Sequence, residues 1–184
     1  MAIELVTFAD LKAFLGLESA AITDYPALNI ISLSVTSAIE EYLDRLLESK
    51  ERTETIYIGS YKTSMINLPA IPITAISSVT VTIGSDSETY DEHEEYEITD
   101  YGLKLFTTLM NAKVVVVYTG GITTVPDSIN RAALVQTIFE FQAKDHIGSE
   151  SVSNTGGSVS RPTLGLLKET QRMLNSEKHP LLQV

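Results

Sequence analysis

The sequence predicts an α+β fold, mainly α: a small helical bundle with a lobe of β-strands inserted between the second and third main helices. Three observations point to it. Apolar residues recur at helical spacing as far as about residue 48, the period changes to two after Lys50, and an apolar strand over 114–118 then leads into a broadly apolar helix. Val114-Val115-Val116-Val117-Tyr118 is a β-branched run too short for a helix and suited to a strand covered on both faces. Thr119-Gly120-Gly121 ends it. Val125-Pro126-Asp127-Ser128 then starts a helix, with Pro near the first turn and Asp placed to meet the positive end of the dipole. Ile129, Ala132, Ala133, Leu134, Val135, Ile138, Phe139 and Phe141 form a stripe wider than that of an ordinary surface helix, so this helix should be covered on most sides.

The other elements follow in order. Thr7-Phe8-Ala9-Asp10 has the spacing of a capped helix start, and Phe8, Leu11, Phe14 and Leu15 give one apolar side before Gly16, which predicts a helix over 8–15. Asp24-Tyr25-Pro26 opens a longer helix, over 27–48, in which Leu28, Ile31, Val35, Ile39, Tyr42 and Leu46 recur at helical spacing. Alternation then predicts six strands within 52–118, near 52–58, 65–68, 79–83, 95–98, 103–106 and 114–118, with Pro69 and Pro72 closing the second. The third main helix covers 127–146, completing a core over 1–147. Residues 148–160 form a polar Gly/Ser stretch expected to be a flexible loop, and 161–184 a final helix and apolar tail.

Composition excludes several classes. The 184 residues and 43% hydrophobic content suit one domain, and the formal net charge of −11 disfavours tight binding to nucleic-acid phosphates or anionic membranes. The absence of Cys removes disulfides, thiol catalysis and Cys-ligated zinc. No apolar stretch has bilayer-spanning length, and Met1 to Leu5 do not open a signal peptide, so the expectation is a cytoplasmic protein without membrane contact.

No catalytic apparatus is visible. Asp86, Glu88, Asp91, Glu92, Glu94, Glu95, Glu97 and Asp100 form an acidic run without Lys or Arg, but their spacing lacks the framework of a cation-binding loop and reads as a solvated acidic loop. His93, His146 and His179 lie in separate segments with no nucleophile elbow or metal-binding helix, and read as surface histidines. Gly120-Gly121 and Gly156-Gly157 lack the residues of a phosphate cradle. The expectation is therefore no enzyme, no cofactor and no metal.

The ordered set of elements is more informative than any motif. It comprises Asp10-Leu11-Lys12-Ala13-Phe14-Leu15-Gly16, Ile39-Glu40-Glu41-Tyr42-Leu43-Asp44-Arg45, Thr53-Glu54-Thr55-Ile56-Tyr57, Leu68-Pro69 with Pro72 to Val79, Val117-Tyr118-Thr119-Gly120-Gly121 and Pro126-Asp127. Together these resemble the head–tail connector proteins (adaptor, head-completion or DNA-packaging proteins) of long-tailed bacteriophages, from about Phe8 to Gln142 and on into the last helix. The acidic insertion from Ser85 to Glu95 departs from many such proteins.

The resemblance implies a structural virion protein at the head–tail joint, assembled in the host cytoplasm as a homo-oligomeric ring, usually twelve-fold, beneath the portal protein. A neck, stopper or tail-completion protein would follow it, and DNA would pass through without specific binding. By position, the portal-docking residues would be Arg161, Leu164, Leu167, Lys168, Gln171, Arg172, Leu174, Leu181 and Leu182, with a hinge at Gly148, Gly156 and Gly157. The segment would order on docking, and its removal would leave the fold intact. Two other classes remain open: an acidic monomeric DNA mimic that inhibits a DNA-binding partner, and a hydrolase using His93 or His146.

Overall fold

The structure, a computed structural model, describes residues 3–17, 25–144, 151–154, 157–160 and 165–178. The chain divides into two compact units, one formed by the residues up to Asp44 with those from Val125 onward, the other by Arg45–Thr124.

In the first unit, helix α1 spans Phe8–Leu15. The Thr7 hydroxyl accepts the Asp10 N–H at 3.1 Å and donates to the Asp10 carboxylate at 2.7 Å, and Gly16 ends the helix in the left-handed region at φ 69°. Helix α2 spans Pro26–Leu43 and buries Leu28, Val35, Ile39 and Leu43 along one stripe. It stops short of the expected residue 48 because Asp44 turns left-handed at φ 53°, a conformation that short polar side chains tolerate. Beyond that point Leu46 donates its N–H to Pro69 O at 2.8 Å, so the apolar residue that continued the helical pattern belongs to the β unit. Helix α3, Asp127–Ala143, meets α1, α2 and the short helix α4, Lys168–Leu174. Its buried positions are Ile129, Ala132, Ala133, Gln136, Thr137 and Ile138, while Leu134, Val135, Phe139 and Phe141 are half-buried.

The second unit is built from seven strands: β1 Lys50–Ile58, β2 Thr63–Asn67, β3 Ile73–Ile83, β4 Asp86–Tyr90, β5 Tyr96–Thr99, β6 Gly102–Leu109 and β7 Ala112–Gly120. They form an antiparallel sheet of order β1-β7-β3-β4 and a second of order β2-β6-β5. Val79, Val81, Val114 and Val116 of the first sheet and Ile66, Tyr96, Leu103 and Leu105 of the second belong to one core cluster. β7 is central but not covered on both faces. Ala112, Val114, Val116 and Tyr118 are buried, whereas Val115 and Val117 are half-buried, as an antiparallel sheet with one core face requires.

The fold is therefore α+β but not mainly α, since strand residues outnumber helical ones. The sequence pattern undercounts strands because several lack apolar alternation. β4 lies within the acidic run read as a loop: it is held by backbone pairing with β3, from Ile83↔Asp86 to Val79↔Tyr90, across a turn at Gly84, φ 63°. Within the Gly/Ser stretch of 148–160, expected to be a flexible loop, two strands pair, β8 Ser151–Asn154 and β9 Gly157–Ser160. An edge strand needs no apolar face when solvent covers one side of it, so composition alone does not reveal it.

Tyr118 ties the core to the chain beneath it. Its fully buried hydroxyl accepts the Ala70 N–H at 3.1 Å. A Cβ at neighbouring Gly120 would meet the Ala70 carbonyl, and Gly121, at φ 114°, takes a conformation suited only to glycine. Tyr118→Phe leaves the Ala70 N–H without a partner and should cost about 1–3 kcal/mol, read as a lower urea midpoint at unchanged slope. Burial holds the phenols of Tyr96 and Tyr118 above their ordinary range, reinforced at Tyr96 by Glu92 and Asp91. A raised folded-state value means that the stabilisation is complete below the unfolded tyrosine pKa of about 10 and is lost as pH rises through the folded values. On raising the pH, the last phase of tyrosinate absorbance, that of the buried phenols, should therefore coincide with loss of the β signal, and a last phase independent of unfolding would contradict it.

Candidate functional site

The C-terminal segment is the candidate site, and α3 positions the part of it that the structure describes. Gln136 interrupts the apolar stripe of α3 and is 1% exposed. Its Oε1 accepts the Leu167 N–H at 2.9 Å and the Thr170 hydroxyl at 3.2 Å, while its Nε2 donates to Glu140 at 2.8 Å and to Gly165 O at 3.4 Å. One buried amide thus satisfies the entry to α4, where backbone donors otherwise lack partners. Leu174 and Thr170 are fully buried. At the far end, Tyr42 donates its hydroxyl to Asn175 Oδ1 at 2.9 Å, Lys178 stands 3.9 Å from the centre of the Tyr42 ring, and Ser128 donates to Glu177 at 2.8 Å.

These contacts correct the expectation of a segment that orders only on a partner. Residues 165–178 are already folded onto α3, and removing them would uncover the core at Leu174. Of the expected docking residues, Lys168 and Arg172 are exposed, Leu167 and Gln171 are half-buried, and Leu174 faces inward. Arg161, Leu164, Leu181, Leu182, Gly148 and Gly156 lie outside the described residues, and Gly157 opens β9. Gln136 was not singled out by sequence reasoning. Its one signal is an amide within an apolar stripe, where a buried polar group requires partners.

The acidic run brings no chemistry together. Glu97 pairs with Lys104 at 2.8 Å, the Asp91 N–H donates to the Glu95 carboxylate, and His93 sits exposed at φ 69°, 3.8 Å from Glu92. Among the described residues no three His, Asp or Glu side chains converge on a position that could hold a metal ion, and no helix is long and apolar enough to cross a membrane. His146 and His179 lie outside the described residues. Gln136→Ala strands the Leu167 N–H and the Thr170 hydroxyl, and should destabilise the helical unit by about 1–3 kcal/mol. Amide exchange across 165–178 should accelerate first, and unchanged protection there would refute the role given to Gln136.

A similar fold occurs in known particles. A chain in the neck of an empty gene transfer agent particle, computed with C6 symmetry, matches with a TM-score of 0.58 and 13% identity over 94% of this chain and 89% of that one. A chain in the neck of the native particle, computed with C12 symmetry, gives 0.53 and 12% over 80% and 81%. A chain in the virion of the native particle gives 0.54 and 11% over 83% and 77%. At these identities the likeness is one of fold. None of the curated proteins matches the sequence. The model of the head completion protein family, however, matches residues 4–176, and the chain accordingly belongs to that family of bacteriophage structural proteins.

Proposed function

We propose that this protein is a structural adaptor in the neck of a tailed phage or phage-like particle, forming a homo-oligomeric ring below the portal protein that joins the capsid to the next neck or tail component. The family match over 4–176 carries this reading, supported by the occurrence of the fold in necks computed with C6 and C12 symmetry. The function is mechanical: holding two assemblies together calls for surfaces and rigidity, not a reacting group. With a net charge of −11 per copy, a ring would present carboxylates to the duplex, repelling its phosphates so that DNA passes without adhering. The finished virion is where such a ring acts, after assembly in the host cytoplasm.

The portal would be engaged through the C-terminal segment. Lys168 and Arg172 are exposed on α4 and half-buried Leu167 and Gln171 flank them. By position in the chain, Arg161, Leu164, Leu181 and Leu182 would add to this segment. Because α4 is already seated on α3, little ordering entropy remains to be lost there on docking. Repetition around the ring would sum weak contacts into a stable joint.

Electron microscopy of the purified protein mixed with its cognate portal should show rings stacked coaxially on the portal, and a chain that neither self-associates nor attaches to a portal would overturn the reading. Lys168→Glu with Arg172→Glu should weaken portal attachment by about tenfold or more with the fold unchanged, measured by surface-immobilised portal binding. Full retention would remove α4 from the docking surface.

A further inference from the structure

Copies carrying a net charge of −11 repel one another where charged surfaces meet, so contacts between them fall on surfaces nearly free of charge. α2 supplies one. No charged residue occurs from Pro26 to Ile39, although part of this length faces solvent. Ile30 is 67% and Leu33 49% exposed, and Ser37 and Glu41 are exposed along the same stripe, at spacings of three and four residues. An exposed helix face ordinarily carries charged side chains.

The open face of the four-stranded sheet supplies the other. Three cross-strand rows run Thr53–Val117–Ser78, Thr55–Val115–Thr80–Thr89 and Tyr57–Lys113–Thr82–Ser87. Lys113 is the one charged residue in these rows, and it forms no ion pair among the described residues. The same holds for Glu41 on the helix.

We propose that in the ring α2 of one copy lies along the open sheet face of the next, antiparallel to β7, with Leu33 over Val117, Ser37 over Val115 and Glu41 paired with Lys113. This rests on the ring reading and names its subunit contact. The spacings agree: at about 1.5 Å per helical residue Ser37 and Leu33 lie about 6 and 12 Å from Glu41. At about 3.4 Å per strand residue Val115 and Val117 lie about 7 and 14 Å from Lys113. In that orientation Glu51, beside Thr119, falls toward the positive N-terminal end of α2. The occupant is a second copy because Glu41 and Lys113 are charges of opposite sign, each next to an uncharged length of its surface, a match that a strongly basic partner would not need. The two surfaces differ, so the contact is head-to-tail and closes into a ring when the rotation allows.

The full-length chain, alone and on its portal, provides the test by sedimentation velocity and electron microscopy. Glu41→Lys or Lys113→Glu alone should weaken self-association by about tenfold, and the two together should restore most of it. The chain has no cysteine, so Ser37→Cys combined with Val115→Cys should give a disulfide-linked ladder on oxidation, while neither single variant goes beyond a dimer. Circular dichroism confirms folding of each variant. Rings that form normally with every charge variant and give no ladder overturn this contact while leaving the neck reading standing. Loss of portal attachment with self-association unchanged assigns the α2 face to the portal and also overturns it. A chain with no oligomer in either setting overturns both readings.

Discussion

Burial of one face of β7 is the constraint on which the β unit depends. Ala112, Val114, Val116 and Tyr118 point into the space between the two sheets, and β1 and β3 pair on either side of them in fixed register. A slip by one residue would place Lys113 in the core and Val114 in solvent, so the register is strongly specified. The Tyr118 hydroxyl extends the constraint to Ala70, where a backbone donor would otherwise be buried without a partner. β4 and the acidic turn that follows make few demands of this kind. β4 is held on β3 mainly by backbone pairing, with Tyr90 at its end packed on the core, which lets a solvated, highly acidic sequence adopt regular structure.

The helical unit is organised around a polar group instead. Gln136 sits in the buried stripe of α3 and holds the entry to α4 through both ends of its amide. Because every hydrogen-bonding atom of the side chain is occupied, the group rigidifies the contact, whereas a half-satisfied amide would weaken it. α4 thus presents Lys168 and Arg172 from a fixed platform. A partner meeting such a platform encounters an already formed surface, and its affinity is not reduced by the cost of folding the segment.

Charge is the second organising factor. In the proposed ring, an excess of carboxylates would suit a wall past which DNA moves, yet it would work against bringing copies of the chain together. If copies meet as proposed, the uncharged length of α2 and the Thr/Val rows of the larger sheet would relieve that conflict by keeping most of the charge to the remaining surface. The distribution of charge matters more here than its total.

The sequence by itself determined the element types that carry their own local signals. Thr7, Asp10 and Gly16 delimit α1, Pro126 and Asp127 start α3, and the valine run of β7 is a strand, because capping chemistry and β-branched runs act over a few neighbouring residues. The ordered set of these elements also sufficed to indicate the family. What tertiary structure alone decided was the end of α2 at Asp44, the strand β4 within an acidic run, the single buried face of β7 and the seating of α4 on Gln136. Each depends on a partner distant along the chain: Pro69 for Leu46, β3 for β4, the facing sheet for β7 and α3 for α4. Local propensity records what a segment can do, and only the long-range contact selects among the alternatives.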